Sequence, residues 1–175
     1  VLAPTAPHAR AEPAPRHRGR FADLPPHRPP NFREADTALK PGWVKFARRI
    51  LEPKPSTADA ARIAEAESLQ SVDETVAQLS DLREELGLTD RSLLLFLSDN
   101  GVQREEHWWD SKFASYEESI RIPMLLRYPV RYPVPRRETS LVSNLDVAAT
   151  IADAAGITPP DLDGKSLLAV LDGEL

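Results

Sequence analysis

Ser98-Asp99-Asn100-Gly101 is where side chains of one useful chemistry first gather in this sequence. The Asp99 carboxylate and the Asn100 amide carbonyl are adjacent hard oxygens, the ligand type that suits Ca²⁺ or Mg²⁺. An Asp-Asn-Gly run is equally an ordinary turn. Two oxygens fall short of the roughly 6–8 that Ca²⁺ takes, so other ligands must come from elsewhere. Lys112, beside Phe113, is a point charge that would suit an anionic substrate near a metal, against the commoner role of a solvated lysine. His107 follows Glu105-Glu106 and precedes Trp108-Trp109, which fits either a pocket wall or a rim. His8 lies in Ala6-Pro7-His8-Ala9, just after a possible strand end at Val1-Leu2-Ala3; a lone histidine there is ordinarily an exposed loop residue. His17 and His27, among Arg and Pro, read as solvated surface, and Glu117-Glu118 as a helix-terminus pair. The chain has no Cys, which removes disulfides, thiolate metal sites and a cysteine nucleophile.

The elements that must position these groups follow from periodicity and punctuation. Ser56-Thr57-Ala58-Asp59 opens a helix with Ser56 as N-cap and Asp59 reaching back. Leu69, Val72, Val76, Leu79, Leu82 and Leu86 then recur at spacings of three and four, and Gly87 can take the left-handed C′ conformation. This predicts a helix over 58–86. Leu93-Leu94-Leu95-Phe96-Leu97 reads as a strand near 92–98 buried on both faces, and Ile122-Pro123-Met124-Leu125-Leu126 as a second strand near 122–128. Between them, 102–119 is a loop with a short helix at Tyr116–Ser119. Ser143 and Asp146 form a capping box for a helix ended by Gly156, with Pro159 and Pro160 preventing continuation. A last short helix is expected at Ser166–Leu171. A helix followed by a buried strand implies an α/β domain with a mostly parallel sheet flanked by helices, and Asp99 and Asn100 then sit where ligands gather, at a strand's carboxyl end.

The 175 residues carry a net charge of −5, which argues against nucleic-acid binding. The charge is uneven: residues 1–55 sum to +6 and residues 56–175 to −11. Eleven of the 17 prolines fall before residue 56. Proline fixes φ and lacks an N–H, so 1–55 reads as a Pro/Arg-rich extended segment with Phe21, Phe32, Trp43, Val44 and Phe46 as anchors. Residues 56–175 read as the regular part of the domain. No run approaches the roughly 18 apolar residues of a membrane span. Val1 opens the chain without a charged n-region, so no signal peptide is expected within these residues. The compartment is left open, because any export signal would precede Val1. The richness in Ala, Arg and Pro points to a GC-rich bacterial source.

Taken as an ordered set, these pieces resemble the type I, formylglycine-dependent sulfatases of the alkaline-phosphatase-like superfamily. The residues that carry the resemblance are Ser98-Asp99-Asn100-Gly101, Glu106-His107, Lys112, Tyr116-Glu117-Glu118-Ser119-Ile120-Arg121-Ile122-Pro123, Ser143-Asn144-Leu145-Asp146 and Asp163-Gly164-Lys165-Ser166-Leu167-Leu168. Pro7-His8 is similar to the family's Pro-His pair. Pro15-Arg16-His17 through Phe21, with Pro30-Asn31-Phe32, resembles the N-acetylglucosamine-6-sulfatase branch. The resemblance implies a partial alkaline-phosphatase-like α/β domain, the C-terminal half of a catalytic domain. It implies Asp99 and Asn100 as ligands of a catalytic Ca²⁺ (or Mg²⁺), Lys112 and His8 as catalytic groups on the sulfate, and His107 on the substrate. The implied partner is a sulfate-ester small molecule or sulfated glycan.

Two departures matter. The family nucleophile, a formylglycine made from Cys or Ser in a C/S-x-P-S-R motif, has no counterpart here and would lie upstream of Val1. The family's Gly before Glu-His is Glu105, so the backbone of that loop is expected to depart from the family path. The chain alone is therefore expected to be inactive. Two other readings stand beside the sulfatase one: a related phosphonate or phosphate monoester hydrolase, and a non-catalytic fragment or binding module.

Overall fold

The computed structural model describes residues 1–158 and 161–174. Its chain divides into two compact units, 1–82 with 100–122 and 83–99 with 123–175. Among the described residues no helix is long and apolar enough to cross a membrane.

The first unit is built on two helices, α1 (Gly42–Leu51) and α2 (Ala58–Glu85), the last turn of α2 belonging to the second unit. The long helix lies where the apolar spacing puts it. Ser56 Oγ accepts from the Ala58 amide at 3.2 Å, and Gly87 ends it at φ +63°. Asp59 does not reach back; it forms an ion pair with Arg28. The apolar stripe is only partly covered: Val72 is buried, while Leu69, Leu79, Leu82 and Leu86 are exposed.

Helix α1 corrects the expectation that residues 1–55 are extended throughout. The prolines stop at Pro41 and resume at Pro53, and the eleven residues between them contain none. Pro41 serves as the N-cap, where a missing N–H costs nothing. Val44 and Ala47 face inward and form a core with Trp108, against which Leu51, Trp109 and Tyr116 pack. Of the other expected anchors, Phe46 is exposed. The rest of the segment is irregular but bonded. Glu67 of α2 is buried and accepts from the Gly19 amide at 2.7 Å. Arg16 forms an ion pair with Glu74.

The second unit carries two strands and two short helices. Strands β1 (Leu94–Leu97) and β2 (Met124–Arg127) lie within the expected ranges, but they pair antiparallel, with Leu95 opposite Leu126 and Leu97 opposite Met124. The mostly parallel sheet is not seen; the α/β class is. Nor is β1 buried on both faces: its residues are half-buried or exposed. A two-stranded ribbon leaves each strand one open edge and covers neither face fully. Val1–Ala3 is irregular and exposed, not a strand end.

Helix α4 (Asp146–Ala154) and helix α5 (Leu167–Asp172), numbered after α3 (Glu117–Ile120), pack together. Asp146 Oδ2 accepts from the Ser143 amide at 2.7 Å, as the capping box requires, but the Ser143 hydroxyl takes the Leu145 amide instead of closing the box. Gly156 has φ +67° and ends α4. The expected blocking role of Pro159 and Pro160 lies outside the described residues. Ser166 caps α5, one residue later than expected.

Candidate functional site

Residues 100–119 of the first unit form a loop that leaves Asn100 and returns to α3. Its base is a close approach of backbones. A Cβ on Gly101 would lie 2.2 Å from the Glu118 carbonyl oxygen, and the Gly101 amide donates to the Ser119 carbonyl at 2.9 Å. Glycine is thus required for space rather than for a turn conformation. Higher up, Gln103 N donates to Ser111 O and Glu105 N to Trp109 O, both at 2.9 Å. The Trp109 indole donates to the Lys112 carbonyl at 2.8 Å. The loop closes on itself, and the Lys112 ammonium donates to Asn100 Oδ1 at 2.8 Å. An expected metal ligand and the lysine expected on the sulfate therefore meet.

The upper loop holds four non-glycine residues at positive φ: Glu105 at +73°, His107 at +53°, Trp108 at +60° and Phe113 at +72°. Such conformations persist only where surrounding contacts over-determine them, and here the contacts are dense. Segment 31–33 pairs with 105–107: Arg33 N donates to Glu105 O at 3.0 Å and His107 N to Asn31 O at 2.8 Å. The Glu105 carboxylate, 2% exposed, takes Arg33 Nε on one oxygen and the Thr57 amide on the other. The Trp108 indole donates to Glu34 O at 2.8 Å. Glu105 thus stands in a left-handed conformation that favours glycine, braced by these contacts.

His107 is buried. Its Nδ1 lies 3.1 Å from Glu34 Oε1 and 3.3 Å from Lys40 Nζ, and its Nε2 lies 3.1 Å from Asn31 Nδ2. Its ring stacks on Tyr116 with centroids 3.9 Å apart. Asn31 also donates to Glu118 Oε1 at 2.6 Å. Asn31, Glu34 and Lys40 were not among the sequence candidates. They lie more than 60 residues from His107, and only the Pro30-Asn31-Phe32 motif hinted at one of them.

His8 is exposed, and its amide donates to Thr5 O at 2.8 Å. His17, expected on the surface, is instead 2% exposed and faces Glu74 at 3.1 Å. Arg16 holds the Glu74 carboxyl down at about 2, chiefly through its hydrogen bond.

In the second unit, Asp99 is exposed. Asn144 Nδ2 donates to its backbone carbonyl at 3.2 Å, so the Ser143-Asn144-Leu145-Asp146 motif tethers the residue it accompanies. Asp146 Oδ1 accepts from the Lys165 amide at 2.9 Å. A Cβ on Gly164 would lie 2.0 Å from Leu145 O. Buried Thr150 accepts from the Leu167 amide at 2.8 Å. The two downstream motifs are thus one packed joint.

The sequence is similar to those of known proteins. Residues 104–175 match the family model described as N-sulphoglucosamine sulphohydrolase, C-terminal. The N-acetylglucosamine-6-O-sulfatase of Bacteroides thetaiotaomicron is 35% identical over 105 residues, covering 59% of this chain and 19% of that protein. Over the matched residues the chain is similar to sulfatases. The human N-acetylglucosamine-6-sulfatase is 30% identical over 189 residues, covering 99% of this chain and 32% of its own length. A solved structure of a protein in complex with its substrate D-glucosamine-2-N,6-O-disulfate superposes with a TM-score of 0.67 at 26% identity, over 97% of this chain and 46% of the other. The chain thus spans about a fifth to a third of the curated relatives named here.

Proposed function

We propose that this chain forms the later part of the catalytic domain of a sulfatase that hydrolyses sulfate esters of sugars or aryl groups. The observation that carries the reading is the 2.8 Å contact between Lys112 and Asn100, two residues of separate sulfatase motifs joined by a loop built to close. The relatives support the same class, among them an N-acetylglucosamine-6-O-sulfatase and an arylsulfatase.

The roles follow from charge and reach. The Lys112 ammonium would neutralise a non-bridging sulfate oxygen as charge builds in the transition state. The exposed His8 imidazole would serve the leaving-group oxygen. His107 has both ring nitrogens engaged and one face covered by Tyr116, so its part on the substrate side is to fix the pocket wall. Asp99 and Asn100, consecutive in the chain, would supply two oxygens to Ca²⁺ or Mg²⁺. Their chemistry fits a hard cation, and Asn100 Oδ1 already accepts from a cationic group. Among the described residues no cluster of three or more His, Asp or Glu could hold a metal ion, so these two are part of a set. When bound, the metal would polarise a sulfate oxygen as a Lewis acid. The chain has no Cys and no Ser-x-Pro-Ser-Arg. The formylglycine nucleophile is accordingly assigned to sequence beyond these residues.

The test is sulfate release by the full-length protein from an aryl sulfate and from 6-sulfated N-acetylglucosamine, beside matched phosphate and phosphonate monoesters. Sulfate esters should be preferred, with turnover lost on chelation and on Asp99→Ala. Preference for the phosphorus esters, or turnover indifferent to both treatments, would overturn the proposal.

A further inference from the structure

The contact between Lys112 and Asn100 needs something to hold the two ends of a loop together. The side chain placed to do this is Gln103, which is 0% exposed. Its amide is used at both ends. Nε2 donates to the Glu106 carbonyl at 3.0 Å, and Oε1 accepts from the Ser119 hydroxyl at 2.8 Å. The first bond ties the outgoing limb to the loop's turn. The second ties it to α3, whose Ser119 carbonyl also receives the Gly101 amide. Ser119 is itself buried, so neither bond has water to replace it, and a lost partner there leaves an unsatisfied buried group. The Gln103 backbone amide meanwhile donates to Ser111 O, one residue before Lys112. Gln103 is thus bonded next to each end of the Asn100–Lys112 contact.

We propose that Gln103, with Ser119 as its partner, is a positioning residue for sulfate-ester hydrolysis: it sets the placement of the Lys112 ammonium against Asn100. The inference rests on the reading of Lys112 and Asn100 given above. A side chain that only filled space would be replaceable by leucine, which matches its volume. A side chain that sets register would not be, because small misplacements of a charge-stabilising group are costly, about 100-fold in rate for about 1 Å.

The experiment is a double-mutant cycle in the full-length enzyme, using kcat/KM for an aryl sulfate, with thermal unfolding of every variant. Lys112→Ala should lose activity; if it does not, the site reading itself falls. Given that loss, Gln103→Leu should lower kcat/KM by roughly 10- to 100-fold in the wild-type background and by less than threefold in the Lys112→Ala background, because there is no ammonium left to misplace. Ser119→Ala should follow Gln103→Leu, and Ser119→Thr, which keeps the hydroxyl, should restore most of the loss. Equal losses from Gln103→Leu in the two backgrounds would make Gln103 a general structural residue and overturn the inference. So would wild-type activity in Gln103→Leu. If Gln103→Leu fails to fold, the Ser119→Ala and Ser119→Thr pair, run through the same cycle, decides by the same criteria.

Discussion

Replacing Glu105 by glycine sets two local effects against each other, and their sizes decide the outcome. Glu105 stands at φ +73°, a conformation that costs a residue with a Cβ about 1–2 kcal/mol and costs glycine almost nothing. The same residue's carboxylate is 2% exposed, pairs with Arg33 Nε and accepts the Thr57 amide at 3.2 Å. Removing one partner of a buried pair costs about 3–5 kcal/mol. Arg33 is 16% exposed and keeps its bond to the Lys54 carbonyl at 2.8 Å, so the low end, about 3 kcal/mol, applies. Glu105→Gly should therefore destabilise by about 1–2 kcal/mol, and Glu105→Ala, which keeps the strain and loses the carboxylate, by about 3 kcal/mol. At about 2–4 °C per kcal/mol for a chain of this size, the melting temperature should fall by roughly 2–8 °C for glycine and further for alanine. Differential scanning calorimetry of the three proteins measures this directly. A glycine variant as stable as wild type would mean that the ion pair contributes no more than the strain it offsets, about 1–2 kcal/mol, and would refute the larger value. An alanine variant no worse than the glycine one would mean that the left-handed backbone stores no strain.

Three further outcomes are expected. Glu74 should titrate near 2 rather than near 4.5; since its folded value is depressed, the stabilising contact with Arg16 is intact above about 4.5 and is lost as pH falls toward 2, and carboxyl NMR showing a titration near 4.5 would refute it. Val44→Ala, at a fully buried position packed with Trp108, should destabilise by about 1–2 kcal/mol, checked by urea unfolding; a change under 0.5 kcal/mol would place Val44 outside the core. The purified 175-residue chain should release no sulfate from an aryl sulfate, because it holds no residue that could become the nucleophile; steady turnover would sink that assignment.

Local signals were legible because they act over a few residues. Pro55, Ser56 and Gly87 bracket α2, and its observed span, Ala58–Glu85, follows their punctuation. Gly101 and Gly164 stood out as motif residues, and the structure supplies the reason, a carbonyl where each Cβ would go. Pairing across distance was not legible. The antiparallel register of β1 and β2 depends on which edge meets which, and an apolar run carries no direction. Helix α1 was hidden because proline density was averaged over 1–55, although residues 42–52 contain none. At the candidate site, residue chemistry and motif order singled out Asn100 and Lys112, which are in contact. The partners of His107 were not singled out, because Asn31, Glu34 and Lys40 reach it only through the pairing of 31–33 with 105–107. A glutamate where the family has glycine gave no hint of its brace: Glu105 stands at φ +73° and pairs with Arg33, 72 residues away in the chain.

The measurement that bears most directly on the account is kcat/KM of the full-length enzyme for an aryl sulfate with Lys112 changed to Ala, read beside its melting temperature. The ammonium lies 2.8 Å from Asn100 Oδ1 and is partly exposed, so its removal should leave the fold intact while removing a charge meant for the transition state. The account predicts a loss of about 100- to 1,000-fold in kcat/KM with little change in melting temperature. Activity within threefold of wild type would contradict it.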